Sequence, residues 1–168
     1  MYHDKRLGEI YVKKFSLTDL LIFIVAAELV GAASALLSGN FSDFYSEITR
    51  PPFSPPALVF PIVWAILYAL MGISSYMIFL SRSPIRKNAL MVYVVQLVVN
   101  FSWSIIFFRF RLLNVAAAVA VLLAVLVAVM VYMFIKIKKK AGLINIPYLL
   151  WSLFASYLAI GTAILNNP

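Results

Sequence analysis

The chain has 168 residues, 64% hydrophobic and 12% charged, with a mean hydropathy of +1.00 and a formal net charge of +8. Charge so far below the roughly 25% of a soluble domain excludes a soluble globular protein and points to an all-α integral membrane protein. Cysteine is absent, which excludes disulfide and thiolate chemistry and leaves the redox compartment unread. The positive charge does not indicate nucleic acid, because the basic residues stand at the ends of apolar runs, where they set topology and meet lipid headgroups.

A hydrocarbon core of about 30 Å is crossed by about 20 apolar residues in a helix. Five segments qualify: 17–37, 56–80, 89–108, 112–135 and 143–165. They predict a five-transmembrane-helix bundle over 17–168, with a basic cytoplasmic tail at 1–16 and an external, pocket-covering loop at 38–55. The first run is too long for a signal h-region and has no clear cleavage site, so it reads as an uncleaved helix. One face carries Lys5, Arg6, Lys13, Lys14, Arg82, Arg86, Lys87, Lys136, Lys138, Lys139 and Lys140, and the other carries Arg50, Arg109 and Arg111. The positive-inside rule then places the N-terminus in the cytoplasm and the C-terminus outside, in a multi-pass protein of the cell membrane. The single histidine, His3, lies in the tail and reads as solvated, with no metal role.

In the first helix Ala27, Gly31 and Ala35 form a ridge of small residues at spacing four, suited to close packing of a neighbouring helix. Glu28 stands near its middle. A carboxylate at that depth costs about 2.5–3.5 kcal/mol on insertion scales, so it should face protein or water or be protonated. Two readings stand: a neutral Glu28 hydrogen-bonded inside the bundle, or a ligand or proton role. The linker from Ser38 to Ser54 is long for a bundle and holds Phe41, Phe44, Tyr45 and Phe53. Those aromatics suit a lid packed on the bundle or anchors among lipid headgroups.

The second helix is entered through a proline-rich run, Thr49 to Pro61. Pro55 and Pro56 suit a first helical turn, and Pro61, lying deeper, should strain or bend the helix. Trp64 and Tyr68 share a face at spacing four. The run reads as a rigid flap over an aromatic pocket. In the third helix Gln96, Asn100 and Ser104 share an inward face, for interhelical hydrogen bonds or, at Asn100, for a ligand. The fourth carries Ala116, Ala120, Ala124 and Ala128 at spacing four and reads as a packing helix. The fifth opens at Pro147, which can start or kink it, and places Ala155 one turn from Trp151, leaving a notch beside the indole.

No nucleotide loop, zinc spacing or Ser/His/Asp set is present, and histidine acid–base catalysis has no residue to use in the membrane. An aromatic, mostly apolar pocket with few polar groups suits a flat hydrophobic ligand.

Four ordered blocks resemble the translocator protein family, also called TspO, tryptophan-rich sensory protein or peripheral-type benzodiazepine receptor. Trp-Tyr and Lys-Pro-x-Trp-x-Pro-Pro of that family read here Phe44-Tyr45 and Arg50-Pro51-Pro52-Phe53-Ser54-Pro55-Pro56. Val-Trp-x-x-Leu-Tyr-x-x-Met-Gly reads Val63 to Gly72, and Gln-Leu-x-x-Asn-x-x-Trp reads Gln96 to Trp103, followed by Ile106-Phe107-Phe108. Pro-Tyr-Leu-x-Trp-x-x-Phe-Ala reads Pro147 to Ala155.

The resemblance implies five transmembrane helices, commonly a homodimer, and a pocket beneath the first external loop for porphyrins such as protoporphyrin IX. It implies ligand-binding positions at Tyr45, Phe53, Trp64, Tyr68, Asn100, Trp103, Trp151 and Ala155. It also implies light-dependent porphyrin degradation through Trp64 and Trp151, with no separate cofactor. The alternatives are a transporter of porphyrin or a lipid-like molecule, and a ligand-responsive membrane sensor or scaffold. Departures from the pattern are Phe44 and Phe53 for loop tryptophans, Pro61-Ile62 for Gly-Pro, Val119 for an acidic residue and Ala159 for an asparagine. Ile160 and Ile164 replace the tyrosine and basic residue of the animal cholesterol motif.

Overall fold

The computed structural model describes residues 15–39 and 41–166, the side chains of residues 41 and 42 excepted. The expectations for the tail, including His3, Lys5, Arg6, Lys13 and Lys14, fall outside the described residues, as does the side chain of Phe41. The described elements are α1 (Leu17–Ser38), α2 (Phe41–Glu47), α3 (Val59–Phe79), α4 (Arg86–Ser104), α5 (Leu113–Ile137), α6 (Lys139–Leu143) and α7 (Ile146–Asn166). A π-helical turn, Ile105–Arg109, continues α4. Five spans are long and apolar enough to cross a membrane: Leu17–Ser38, Val59–Phe79, Arg86–Arg109, Leu113–Ile137 and Lys139–Asn166. The expected five-helix bundle is therefore the fold, with α2 added inside the loop and the short α6 ahead of α7.

The helix ends follow from capping chemistry. Ser16 Oγ accepts the Asp19 N–H at 3.2 Å and starts α1, with Asp19 in the first turn where the helix dipole favours an anion. Tyr76 of α3 clamps the same point, accepting the Ser16 N–H at 2.7 Å and donating its hydroxyl to the Ser16 carbonyl at 3.0 Å. The prolines of α3 are distributed differently from expectation. Pro55 and Pro56 precede the helix in a turn closed by Val59 N–H to the Pro56 carbonyl at 3.0 Å. Pro61 instead sits in the first turn of α3. Four residues before it lies Ala57, outside the helix, so its missing N–H removes no bond from the helical ladder. Pro147 likewise is the second residue of α7 and starts that helix.

Small residues set the helix spacing. A Cβ at Gly72 would stand 2.5 Å from Ile24 Cα and 2.8 Å from the Phe23 carbonyl oxygen, so α3 meets α1 backbone to backbone there. Ala27, in the predicted ridge, is buried, whereas Ala35 is exposed. Ala116, Ala120 and Ala124 of α5 are buried and Ala128 is not. α5 packs on α7 and α4, and α1 packs on α3 and α4. α3 therefore has α1 on one side, and on the other a shallow apolar groove separates it from α7, lined by Val63, Ile66, Pro147, Leu150, Trp151 and Phe154.

Candidate functional site: an aromatic cavity between three helices

On the opposite side of α3 from that groove, α1, α3 and α4 enclose a cavity of about 370 Å³. Each helix contributes one face at spacing three and four. α1 supplies Glu28, Gly31, Ala32 and Ala35; α3 supplies Phe60, Trp64 and Tyr68; α4 and its π turn supply Asn100, Ser104 and Phe108. Trp103 completes the wall. The Trp64 and Tyr68 rings lie 5.7 Å apart, and Trp103 stacks on Phe107 at 5.1 Å. The π turn widens the end of α4, with Phe110 N–H reaching the Ile105 carbonyl at 3.1 Å, and so accommodates Phe107 and Phe108 side by side. Ala32 and Ala35 on α1, and Pro61 and Ala65 on α3, are exposed, so the cavity opens along the α1–α3 seam.

The polar atoms are held by a buried relay. Tyr148 of α7 is fully buried and donates its hydroxyl to Gln96 Oε1 at 2.6 Å. Asn100 Nδ2 donates to that hydroxyl oxygen at 3.1 Å, and Gln96 Nε2 points at the Met71 sulfur at 3.6 Å. A thioether beside the far end of the Gln96 amide suits N–H and not C=O, which fixes the direction of the relay. Asn100, with one N–H committed to Tyr148, keeps its carbonyl oxygen for a ligand. Trp103 Nε1 is also committed, to the Ala116 carbonyl at 3.0 Å, and so presents ring surface. Ser34 and Ser38 spend their hydroxyl protons on the carbonyls of Phe101 and Ser34 at 2.8 and 2.7 Å. Among the described residues no hydrogen bond or ion pair holds the Glu28 carboxyl, so the expected bond inside the bundle is absent.

The loop is fastened at the same end of the bundle. Phe44 of α2 is buried against Phe107 and Phe108, at 5.7 and 6.0 Å between ring centres. Tyr45 is buried and donates its hydroxyl to the Pro55 carbonyl at 2.6 Å. Thr49 exchanges two hydrogen bonds with the Asn166 side chain, at 2.9 and 2.8 Å, and Tyr157 donates to the Pro52 carbonyl at 3.0 Å. Pro51 lies over Gly161, where a Cβ would come within 2.7 Å of it.

Of the expected ligand-binding residues, Trp64, Tyr68, Asn100 and Trp103 are brought together in the cavity lining. The others lie outside that lining. Phe53 is 88% exposed, because its left-handed backbone (φ 63°) turns it off the bundle. Tyr45 is a loop latch. Trp151 faces the α3–α7 groove and touches the cavity-lining Phe60, 5.9 Å away between ring centres. Ala155, half-buried on α7, is in neither lining. The sequence reading missed Phe60 and Phe108, although spacing four from Trp64 and Ser104 carries the signal for both.

Five helices long and apolar enough to cross a membrane, packed as one bundle, define a multi-pass membrane protein. The TspO/MBR family profile matches residues 21–165, and the chain belongs to that family. It is 30% identical over 146 residues to a tryptophan-rich sensory protein of Cereibacter sphaeroides, covering 87% of this chain and 90% of that protein. It is 31% identical over 152 residues to a tryptophan-rich protein TspO of Archaeoglobus fulgidus, covering 90% and 99%. With the translocator protein of Bos taurus it shares 30% identity over 123 residues, covering 71% and 73%.

Proposed function

We propose that this protein binds a flat hydrophobic ligand of the tetrapyrrole class, such as protoporphyrin IX, in the cavity between α1, α3 and α4. The observation that carries the reading is the convergence of Trp64, Tyr68, Trp103, Phe60 and Phe108 on one cavity with few polar groups. Stacking and apolar burial supply affinity, and Asn100 gives orientation. The volume is at the low end of small-molecule sites, so a tetrapyrrole sits with one edge in the α1–α3 seam. Under light the bound ring is oxidised by reactive oxygen formed beside Trp64, the indole in direct contact. Trp151 acts at one remove, through Phe60.

The second reading, a carrier or sensor, draws on the names of the relatives and on the open seam, through which a ligand exchanges with the bilayer. In this proposal the protein lies in the cell membrane with the stapled loop outside, and two copies pair through exposed apolar helix faces.

The test is titration of purified protein with protoporphyrin IX, following tryptophan quenching in the dark and porphyrin absorption under light. Saturable quenching with a protein-dependent product is expected. Trp64→Phe should keep most binding and lose most product, whereas Trp151→Phe should lose less. Saturable quenching without product leaves a binder, carrier or sensor; absence of saturable quenching overturns the ligand class.

A further inference from the structure

We propose that the cavity selects a hydrophobic amine: a flat or compact apolar ligand bearing one basic nitrogen, paired with Glu28 and supported by the Asn100 carbonyl oxygen. The inference rests on the reading of this cavity as the ligand site and adds the chemistry of the group it recognises.

Four observations carry it. Glu28 is the one Asp, Glu, Lys or Arg in the cavity lining, and it stands at mid-depth in α1 with no partner among the described residues. A lone carboxyl in hydrocarbon is costly and calls for a cation or a hydrogen-bond donor. The remaining polar atoms are mostly acceptors. The protons of Ser34, Ser38 and Trp103 are spent inside the protein, and the relay through Tyr148 turns Asn100 to present oxygen. The Tyr68 and Ser104 hydroxyls can accept as well as donate. Finally, Gly31, Ala32 and Ala35, on the same face of α1 as Glu28, leave the carboxyl open toward the seam.

The proton count closes without another reactant. The amine dissolves in the bilayer as the neutral base and meets Glu28 as the neutral acid. The carboxyl proton moves to nitrogen, and the resulting ion pair has no net charge. A tetrapyrrole makes no such pair, because its N–H groups point into the macrocycle; it is held by stacking and apolar burial, with its propionate edge turned away from Glu28.

The experiment compares 1-pyrenemethylamine, 1-methylpyrene and 1-pyrenecarboxylic acid on the purified full chain, read by energy transfer from tryptophan to pyrene. The amine is expected to bind about tenfold or more tightly than the methyl compound, as for a charge-assisted hydrogen bond, and the acid more weakly. Glu28→Gln should bring the amine-to-methyl ratio close to one, and Glu28→Asp should restore part of it. Saturable binding of methylpyrene with no preference for the amine overturns the inference and leaves the cavity as a ligand site. A preference retained in Glu28→Gln overturns it too. Saturable binding by none of the three overturns both the inference and the site. The wild-type ratio is decisive without reference to the folding of any variant.

Discussion

The ring of Tyr68 occupies the space that a side chain at position 31 would fill: a Cβ built on Gly31 collides with Cε2, Cδ2 and Cζ of the tyrosine. One wall of the cavity thus exists because the facing helix has no side chain there. Gly31→Ala is expected to push the ring into the cavity, at a cost of about 1–3 kcal/mol in stability. Ligand affinity should fall about tenfold, on the same scale of energies. Thermal unfolding in detergent and tryptophan quenching measure the two effects. Unaltered affinity would mean that Tyr68 turns aside without cost.

Tyr148→Phe removes the hydroxyl at the centre of the buried relay and leaves Gln96 Oε1 and Asn100 Nδ2 without their partner. Each stranded group costs about 1–3 kcal/mol. A lowered unfolding midpoint is expected, together with weaker preference among ligands, since Asn100 is then free to present either end of its amide. A variant as stable as the parent would show that water or a rearranged amide fills the place.

Asn166→Ala cuts both hydrogen bonds that tie Thr49 to the end of α7. The groups are exposed, so the loss is about 1 kcal/mol and local. Faster proteolysis within residues 48–58 is expected while the bundle melts as before. Equal cleavage rates would assign the fastening of the loop to Tyr157 and Phe44 alone.

Phe53 has a left-handed backbone and an outward side chain. Phe53→Gly should leave ligand affinity unchanged and stabilise the loop by up to about 1 kcal/mol, because glycine adopts that conformation without steric cost. A marked loss of affinity would return Phe53 to the binding site.

The number of spanning helices was legible because hydropathy over 20 residues is a coarse and robust signal. Faces within a helix were legible too: Trp64 with Tyr68, and Asn100 with Ser104, lie where spacing four puts them. What periodicity does not encode is which neighbour a face meets. Trp64 and Trp151 both stand in aromatic blocks, yet α3 passes between the cavity and the groove and separates them. Phe53 lies outside the cavity lining for a different reason, since a single residue with positive φ redirects a loop side chain. The proline assignment slipped because Pro55, Pro56 and Pro61 are all compatible with a first turn, and only the actual start at Val59 chooses among them.

The contact between Gly72 and Ile24 acts as a pivot. α1 and α3 touch backbone to backbone at that level, whereas opposite Gly31 a tyrosine ring stands between them. From Ile24 to Ala35 is about 16 Å along the helix at 1.5 Å per residue. A tilt of about 4° around the pivot therefore changes the gap at Ala35 by about 1 Å, by lever geometry on that same rise. The loop between α1 and α3 is fastened to α7 and to the end of α4. The width of the cavity mouth is thus set by the angle of two helices about a single glycine contact.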